Sequence, residues 1–257
     1  GGTPVNDALY LRAVGIAAAV QPDYSFSLPA VRALARMGRL RVEKPVTFLV
    51  GENGTGKSTL LEAIAVAWGF NPEGGSRNFR FSSRDTHSGL YRRLRLVRGS
   101  CIAQDGYFLR SESLYNMASY VDELAGGDRG FLRQFGGRSL HGRSHGESLL
   151  ALAQNRFRRQ GLYLLDEPEA ALSPVRQLTF LALLHRLASE GSQLIVATHS
   201  PILMACPRAK ILRFDGAAGI TPVAWQETEH VQITRDFLAA PERMMRVLFA
   251  EGGEEEA

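Results

Sequence analysis

The chain has 257 residues, 45% hydrophobic and 22% charged, enough for one large α/β domain with a substantial core or for two small ones. No apolar run approaches the roughly 18–20 residues of a membrane-spanning helix, and the best stretch, 14–20, is far too short. The net charge is +4, but Glu251, Glu254, Glu255 and Glu256 supply four carboxylates, so residues 1–250 carry +8.

Taken in chain order, 10–16 and 46–50 read as strands, the second running into a glycine-rich loop. A helix follows over 57–68, with Leu60, Leu61, Ile64 and Trp68 at helical spacing and Gly69, Asn71 and Pro72 ending it. Residues 71–88 form a polar loop with Arg77, Arg80 and Arg84. Residues 91–97 and 107–110 are strands, and Ser111 caps a helix running to about Leu124. Six glycines mark 125–145 as a connection. Beyond it the expected order is a helix beginning near Gly146 and ending by Gln160, strand over 162–165, helix over 174–189, strand over 193–197 and a short helix after Pro201. A C-terminal helix over 237–249 is expected to pack on the body. Alternating helices and strongly apolar strands predict a mainly parallel sheet covered on both faces. Ligands then bind beyond the carboxyl ends of the strands.

Two motifs at that edge carry chemistry. Gly51-Glu52-Asn53-Gly54-Thr55-Gly56-Lys57-Ser58-Thr59 satisfies G-x4-G-K-[ST] between a strand and a helix. Its glycines let successive backbone N–H groups turn inward on an anion at a helix N-terminus. Lys57 suits the β- and γ-phosphates, and the Ser58 hydroxyl suits Mg²⁺. Asp166-Glu167-Pro168 follows the 162–165 strand. Adjacent acids both reach one site only where a strand has ended and the chain turns, which Pro168 favours. Asp166 is the candidate Mg²⁺ ligand, and Glu167 the group that positions or deprotonates a water.

With Thr198-His199-Ser200-Pro201 after the next strand, these motifs resemble the ABC-type ATPase family. The resemblance implies a P-loop NTPase fold of ABC type: a mainly parallel central sheet flanked by helices, an antiparallel N-terminal β-subdomain, and a helical lobe, about 105–160, carrying the signature motif. It implies ATP and Mg²⁺ as cofactors. His199, 33 residues after Asp166, matches the histidine that senses the γ-phosphate, and joins Lys57 and Glu167 as catalytic candidates. The signature falls on Ser144-His145-Gly146-Glu147-Ser148, which departs from LSGGQ at His145 and Glu147. Ser144, Gly146 and Glu147 would then grip nucleotide held by a facing copy, Gly51 and Asn53 to Thr59 being the residues that hold it. Ser144-x-x-Glu147 also reads as an ordinary capping box.

The wording of 166–174 and 197–201 is similar to stand-alone bacterial ATPases called AAA family or RecF/SMC-like. Segments 106–113 and 228–238 share that likeness, so the resemblance spans about 8–250, treated as one domain (3–250) with an acidic tail (251–257). Ser173 stands where transporter ATPases usually carry aspartate. For the family's glutamine loop, Gln104 precedes its strand, whereas Ser111 and Glu112 follow one. Tyr24 and Phe26 are candidates for stacking on adenine and equally for core packing.

Weaker signals read as structure. His141-x3-His145 is assigned to loop because Gly142 and Gly146 disfavour a helix. Arg156, Arg158 and Arg159 suit a solvated helix end. Arg77, Arg80 and Arg84 with Phe79 and Phe81 form the best nucleic-acid-like patch, although the arginine excess also fits a GC-rich genome, Lys44, Lys57 and Lys210 being the only lysines. Cys101 and Cys206 have no metal or disulfide spacing, Gly1-Gly2 reads as a cloning remnant, and no secretory signal is recognised. The expectation is a cytoplasmic ATPase that forms an ATP-dependent homodimer and drives a protein partner or a nucleic-acid process. The alternative is the ATPase subunit of a transporter. The 58–144 segment is too short for an SMC-like coiled-coil tether.

Overall fold

The computed structural model describes residues 9–17, 24–72, 74–75, 89–110, 145–216 and 219–250. Strands are β1 (Leu11–Ile16), β2 (Arg39–Arg41), β3 (Val46–Val50), β4 (Leu94–Arg98), β5 (Asp105–Arg110), β6 (Gly161–Asp166), β7 (Gln193–Ala197), β8 (Lys210–Asp215) and β9 (Gly219–Val223). Helices are α1 (Pro29–Met37), α2 (Lys57–Trp68), α3 (His145–Arg156), α4 (Pro174–Ser189), α5 (Pro201–Met204), α6 (Glu229–Ala239) and α7 (Pro241–Ala250).

Six strands form the central sheet in the order β5-β6-β7-β3-β8-β9. All neighbours run parallel except the β8–β9 pair. The side chains of β6 and β7 alternate between two apolar layers, as a strand buried on both faces requires. Tyr163, Leu165, Leu194 and Val196 pack with Leu149 and Leu152 of α3 and Phe180 and Leu184 of α4. Leu162, Leu164, Ile195 and Ala197 pack with Leu60, Leu61 and Ile64 of α2. The expected antiparallel N-terminal sheet has the order β2-β1-β4. Gln193, fully buried, ties the two sheets together. Its Oε1 accepts from the N–H groups of Tyr10 (2.9 Å) and Leu11 (2.8 Å), and its Nε2 donates to Leu11 O at 2.7 Å.

Strand order sets the site. β6, β7 and β3 are neighbours with a common direction, so the segments following Asp166, Ala197 and Val50 emerge side by side at one edge.

Three expectations are corrected. The 91–97 strand begins only at Leu94, because Leu90 is buried with Val31 and Ala63 and draws Gly89–Arg93 into a 3-10 turn. The helix expected to begin near Gly146 and end by Gln160 does so, stopping at Arg156: Phe157 turns inward to stack on Tyr163 (ring centroids 4.4 Å apart), and Arg158 N–H donates to Tyr163 Oη instead of to a helical carbonyl. His145 is the first residue of α3, not loop. The single packing helix over 237–249 is two helices divided at Pro241, whose ring leaves no N–H to continue the first. Their side chains Leu238, Leu248 and Phe249 are 72%, 59% and 75% exposed, so this segment does not pack as expected. The helix from Ser111 and the connection up to Ser144 lie outside the described residues.

Candidate functional site

The loop after β3 shows why glycine is needed there. Gly51 has φ +138°, and a Cβ on it would lie 2.3 Å from Phe214 O. Gly56, in the left-handed region at φ +92°, caps α2. Ala30 N–H donates to Thr55 O at 2.8 Å, holding the loop against α1. Thr55 Oγ1 donates to Glu52 O at 2.8 Å, while Asn53 and Gly54 are exposed at the tip. Lys57 folds over the loop: its ammonium donates to Gly51 O (2.6 Å) and Glu52 O (2.7 Å). Burial pushes its pKa down, and the Glu167 and Asp166 carboxylates oppose that shift.

Ser58, at the start of α2, donates from Oγ to Asp166 Oδ1 at 2.8 Å. Two hard oxygen donors therefore converge where a phosphate-bound Mg²⁺ would need them, so the residues fit that ion. Thr59 follows on the partly buried first turn. Glu167 has φ +47° and ψ +51°, a conformation that costs an L-residue roughly 1–2 kcal/mol. Its N–H donates to Ala197 O at 2.9 Å, locking the turn that sends its carboxylate towards β7.

His199 follows β7. Its Nε2 lies 3.4 Å from Glu167 Oε1, its backbone N–H donates to Glu169 Oε1 at 2.5 Å, and its Nδ1 lies 2.8 Å from His230 Nε2. Burial, then Lys57 and then His230 hold the His199 pKa below its ordinary value. Burial lowers His230 as well. Burial raises Glu169. Ser58, Arg110, His145, Asp166, Glu167, Ala170 and Ala171 line a cleft of about 300 Å³, within the size range of small-molecule sites.

The lowered histidines have a measurable consequence. A folded pKa below the unfolded value contributes stability above the ordinary histidine pKa of about 6.5, and that stability is lost as pH falls through the folded value. Thermal melts should show Tm falling from about pH 6.5 downward, and less so in a His199→Gln/His230→Gln variant. Glu169 acts with the opposite sign, but in both proteins alike, so it cancels from the comparison.

A family model described as "AAA domain, putative AbiEii toxin, Type IV TA system" matches residues 147–205, and one described as "AAA domain" matches 31–103. The thiamine import ATP-binding protein ThiQ of Cereibacter sphaeroides is 33% identical, over 66% of this chain and 80% of its own length. The chain belongs to the ABC-type ATPase family. A putative ABC transporter ATP-binding protein of Streptomyces avermitilis is 32% identical over 72% of the chain, which spans only 36% of that relative. Among solved structures, cbiO1 from Clostridium perfringens covers 93% of this chain, and 99% of its own, at 18% identity and a TM-score of 0.47.

In this ABC-type ATPase the other expected positions fare unequally. Gly146 is buried at the start of α3, where a Cβ would lie 2.5 Å from Ala171 O, so glycine there has a packing reason of its own. Glu147 pairs with Arg176 at 2.7 Å on the surface. Ser144 lies outside the described residues, as do Ser111, Glu112, His141, Arg77, Phe79, Arg80, Phe81, Arg84 and the acidic tail. Gln104 N–H donates to Gln160 O at the entry to β5, the opposite end of the sheet from Asp166. Phe26 packs against the Val31, Ala63 and Leu90 cluster, with the Arg93 guanidinium 5.7 Å from its ring. Arg156 is not a solvated helix end but pairs with Asp105 at 2.9 Å, one-fifth exposed. Ser173 precedes α4, and its carbonyl accepts from Gln177 N–H at 2.9 Å.

Three residues of the edge are missed by sequence reasoning. Arg110 stands opposite Asp166 in the β5–β6 register and pairs with Glu62 at 2.8 Å. Glu169 and His230 both bond to His199. Glu169 lies within the acidic motif, and His230 within the 228–238 segment, so the signals were present without a partner to interpret them.

Proposed function

We propose that this chain binds ATP with Mg²⁺ and hydrolyses it, and that a second copy completes the site. The observation that carries hydrolysis is the convergence of Ser58, Asp166, Glu167 and His199 at one sheet edge, with Ser58 Oγ 2.8 Å from Asp166 and His199 Nε2 3.4 Å from Glu167. The N–H groups of Gly51 to Thr59 would cradle the phosphates, and Lys57 would exchange the carbonyls of Gly51 and Glu52 for β- and γ-phosphate oxygens. Ser58 and Asp166 would hold Mg²⁺, which supplies charge neutralisation at the phosphates when bound. Glu167 takes a proton from the attacking water, and the His199 imidazole holds water and γ-phosphate in line. Phosphate release from ATP with Mg²⁺, abolished by a chelator, tests this reading. No release above buffer would refute it.

The two-copy element rests on the likeness of residues 144–148 to the family signature and on the start of α3 beside the cleft, where His145 and Glu147 are exposed. A helix N-terminus favours an anion presented from outside. The work performed is coupled to a protein partner or to nucleic acid, and the departures at His145, Glu147 and Ser173 favour the non-transporter, RecF/SMC-like branch. Among the described residues no helix is long and apolar enough to cross a membrane. A transporter ATPase subunit is the second reading, favoured by the thiamine import relative. It requires a membrane protein that co-purifies with the chain and stimulates its turnover.

A further inference from the structure

We infer that His230 is a positioning residue for hydrolysis: its Nε2–H donates to Nδ1 of His199 and thereby fixes the His199 proton on Nε2, the nitrogen that faces Glu167. The inference rests on the hydrolytic reading of the site, but its structural core is independent of it.

The two imidazole nitrogens are 2.8 Å apart, with ring centroids at 4.9 Å and planes inclined at 60°. One proton lies between them, so one ring donates and the other accepts. Two arrangements are open. If His199 donated from Nδ1, its Nε2 would carry a lone pair 3.4 Å from the Glu167 carboxylate, itself an acceptor when ionised. If His230 donates from Nε2, His199 carries N–H at Nε2, towards that carboxylate. The second arrangement places opposite partial charges together, and the first opposes two lone pairs. His199 Nε2 is also buried without a hydrogen bond among the described residues, so the group that His230 orients faces Glu167, 3.4 Å away, and still has a bond to make. Burial keeps both rings towards the neutral form that this exchange of one proton needs.

His230 is held firmly enough for the task. The Trp225 indole N–H donates to Pro201 O at 2.9 Å, two residues beyond His199. Thr228, buried, turns its hydroxyl to Trp225 O at 2.8 Å and precedes α6. Val231 is 5% exposed and belongs to the same core as Leu203 and Met204. The first turn of α6 is thus pinned to the segment after β7, with His230 pointing at His199. The arrangement follows the logic by which an outer partner fixes the tautomer of a working histidine.

The test uses the whole chain and three variants. His230→Leu should lower kcat by about tenfold or more with KM for ATP unchanged, since tautomer and orientation act on the chemical step. His230→Gln, whose amide N–H can occupy roughly the place of Nε2–H, should recover most of that loss. His230→Glu, able only to accept when ionised, should be no better than Leu. Melting curves establish that each variant is folded. Long-range ¹H–¹⁵N spectra of the imidazoles should show both His199 and His230 protonated at Nε2. Wild-type kcat in His230→Leu, a Gln variant no better than Leu, or a His199 proton on Nδ1 would each overturn the inference. Absence of turnover in the wild type would instead refute the hydrolytic reading, and the spectra would still decide the hydrogen bond.

Discussion

Replacing Glu167 by Gln is expected to lower ATP turnover by about 10²–10⁴-fold while leaving nucleotide affinity within a few-fold of wild type. The substitution keeps the size of the side chain and its ability to accept a hydrogen bond, and removes the proposed base. The carboxylate sits beyond the carboxyl end of β6, in the cleft with Ser58 and Asp166 and 3.4 Å from His199 Nε2, whereas the phosphate cradle lies on the separate β3–α2 turn. Chemistry and binding should therefore separate. Phosphate release and equilibrium titration of a fluorescent ATP analogue measure the two independently. Turnover within threefold of wild type would mean that Glu167 is not the base.

Lys57→Ala should do the reverse and remove binding. Charge-assisted hydrogen bonds are each worth about 1.5–3 kcal/mol, so losing two phosphate contacts amounts to an affinity loss of about 10²–10⁴-fold. The ammonium also braces its own loop, donating to both Gly51 O and Glu52 O, so the loop that remains is less preorganised. The apolar core of α2, with Leu60, Leu61 and Ile64 buried, does not depend on it, and the variant should fold. Unchanged ATP affinity in the titration would contradict the phosphate-loop assignment.

The glycine-rich loop before α2 and the place of the acidic pair after β6 were legible in the sequence because their patterns are local. A glycine spacing and a lysine next to a helix start specify an anion site without knowledge of the rest of the chain. The sheet was legible for a related reason: β3, β6 and β7 are buried on both faces and read as strongly apolar runs. What was hidden depends on contacts across many residues. His199 and His230 meet over 31 positions only because Trp225 reaches Pro201, and no periodicity encodes that bond. Arg156 looked like a solvated helix end because Asp105, its partner, is 51 residues away on β5. The C-terminal apolar residues have helical spacing like any packing helix, and spacing does not report that Leu238, Leu248 and Phe249 face outward. Nothing in the 193–197 run singles out Gln193, yet its three hydrogen bonds are what tie the N-terminal sheet to the central one.

The claim that a second copy completes the site meets its most direct test in the Glu167→Gln protein, where bound ATP is not consumed. Its molar mass should be measured by light scattering with Mg²⁺, with and without saturating ATP. The chain has a mass of 28.2 kDa; that value is expected without nucleotide and twice that value with it. A mass that stays at one chain while the titration shows ATP bound would contradict the two-copy site.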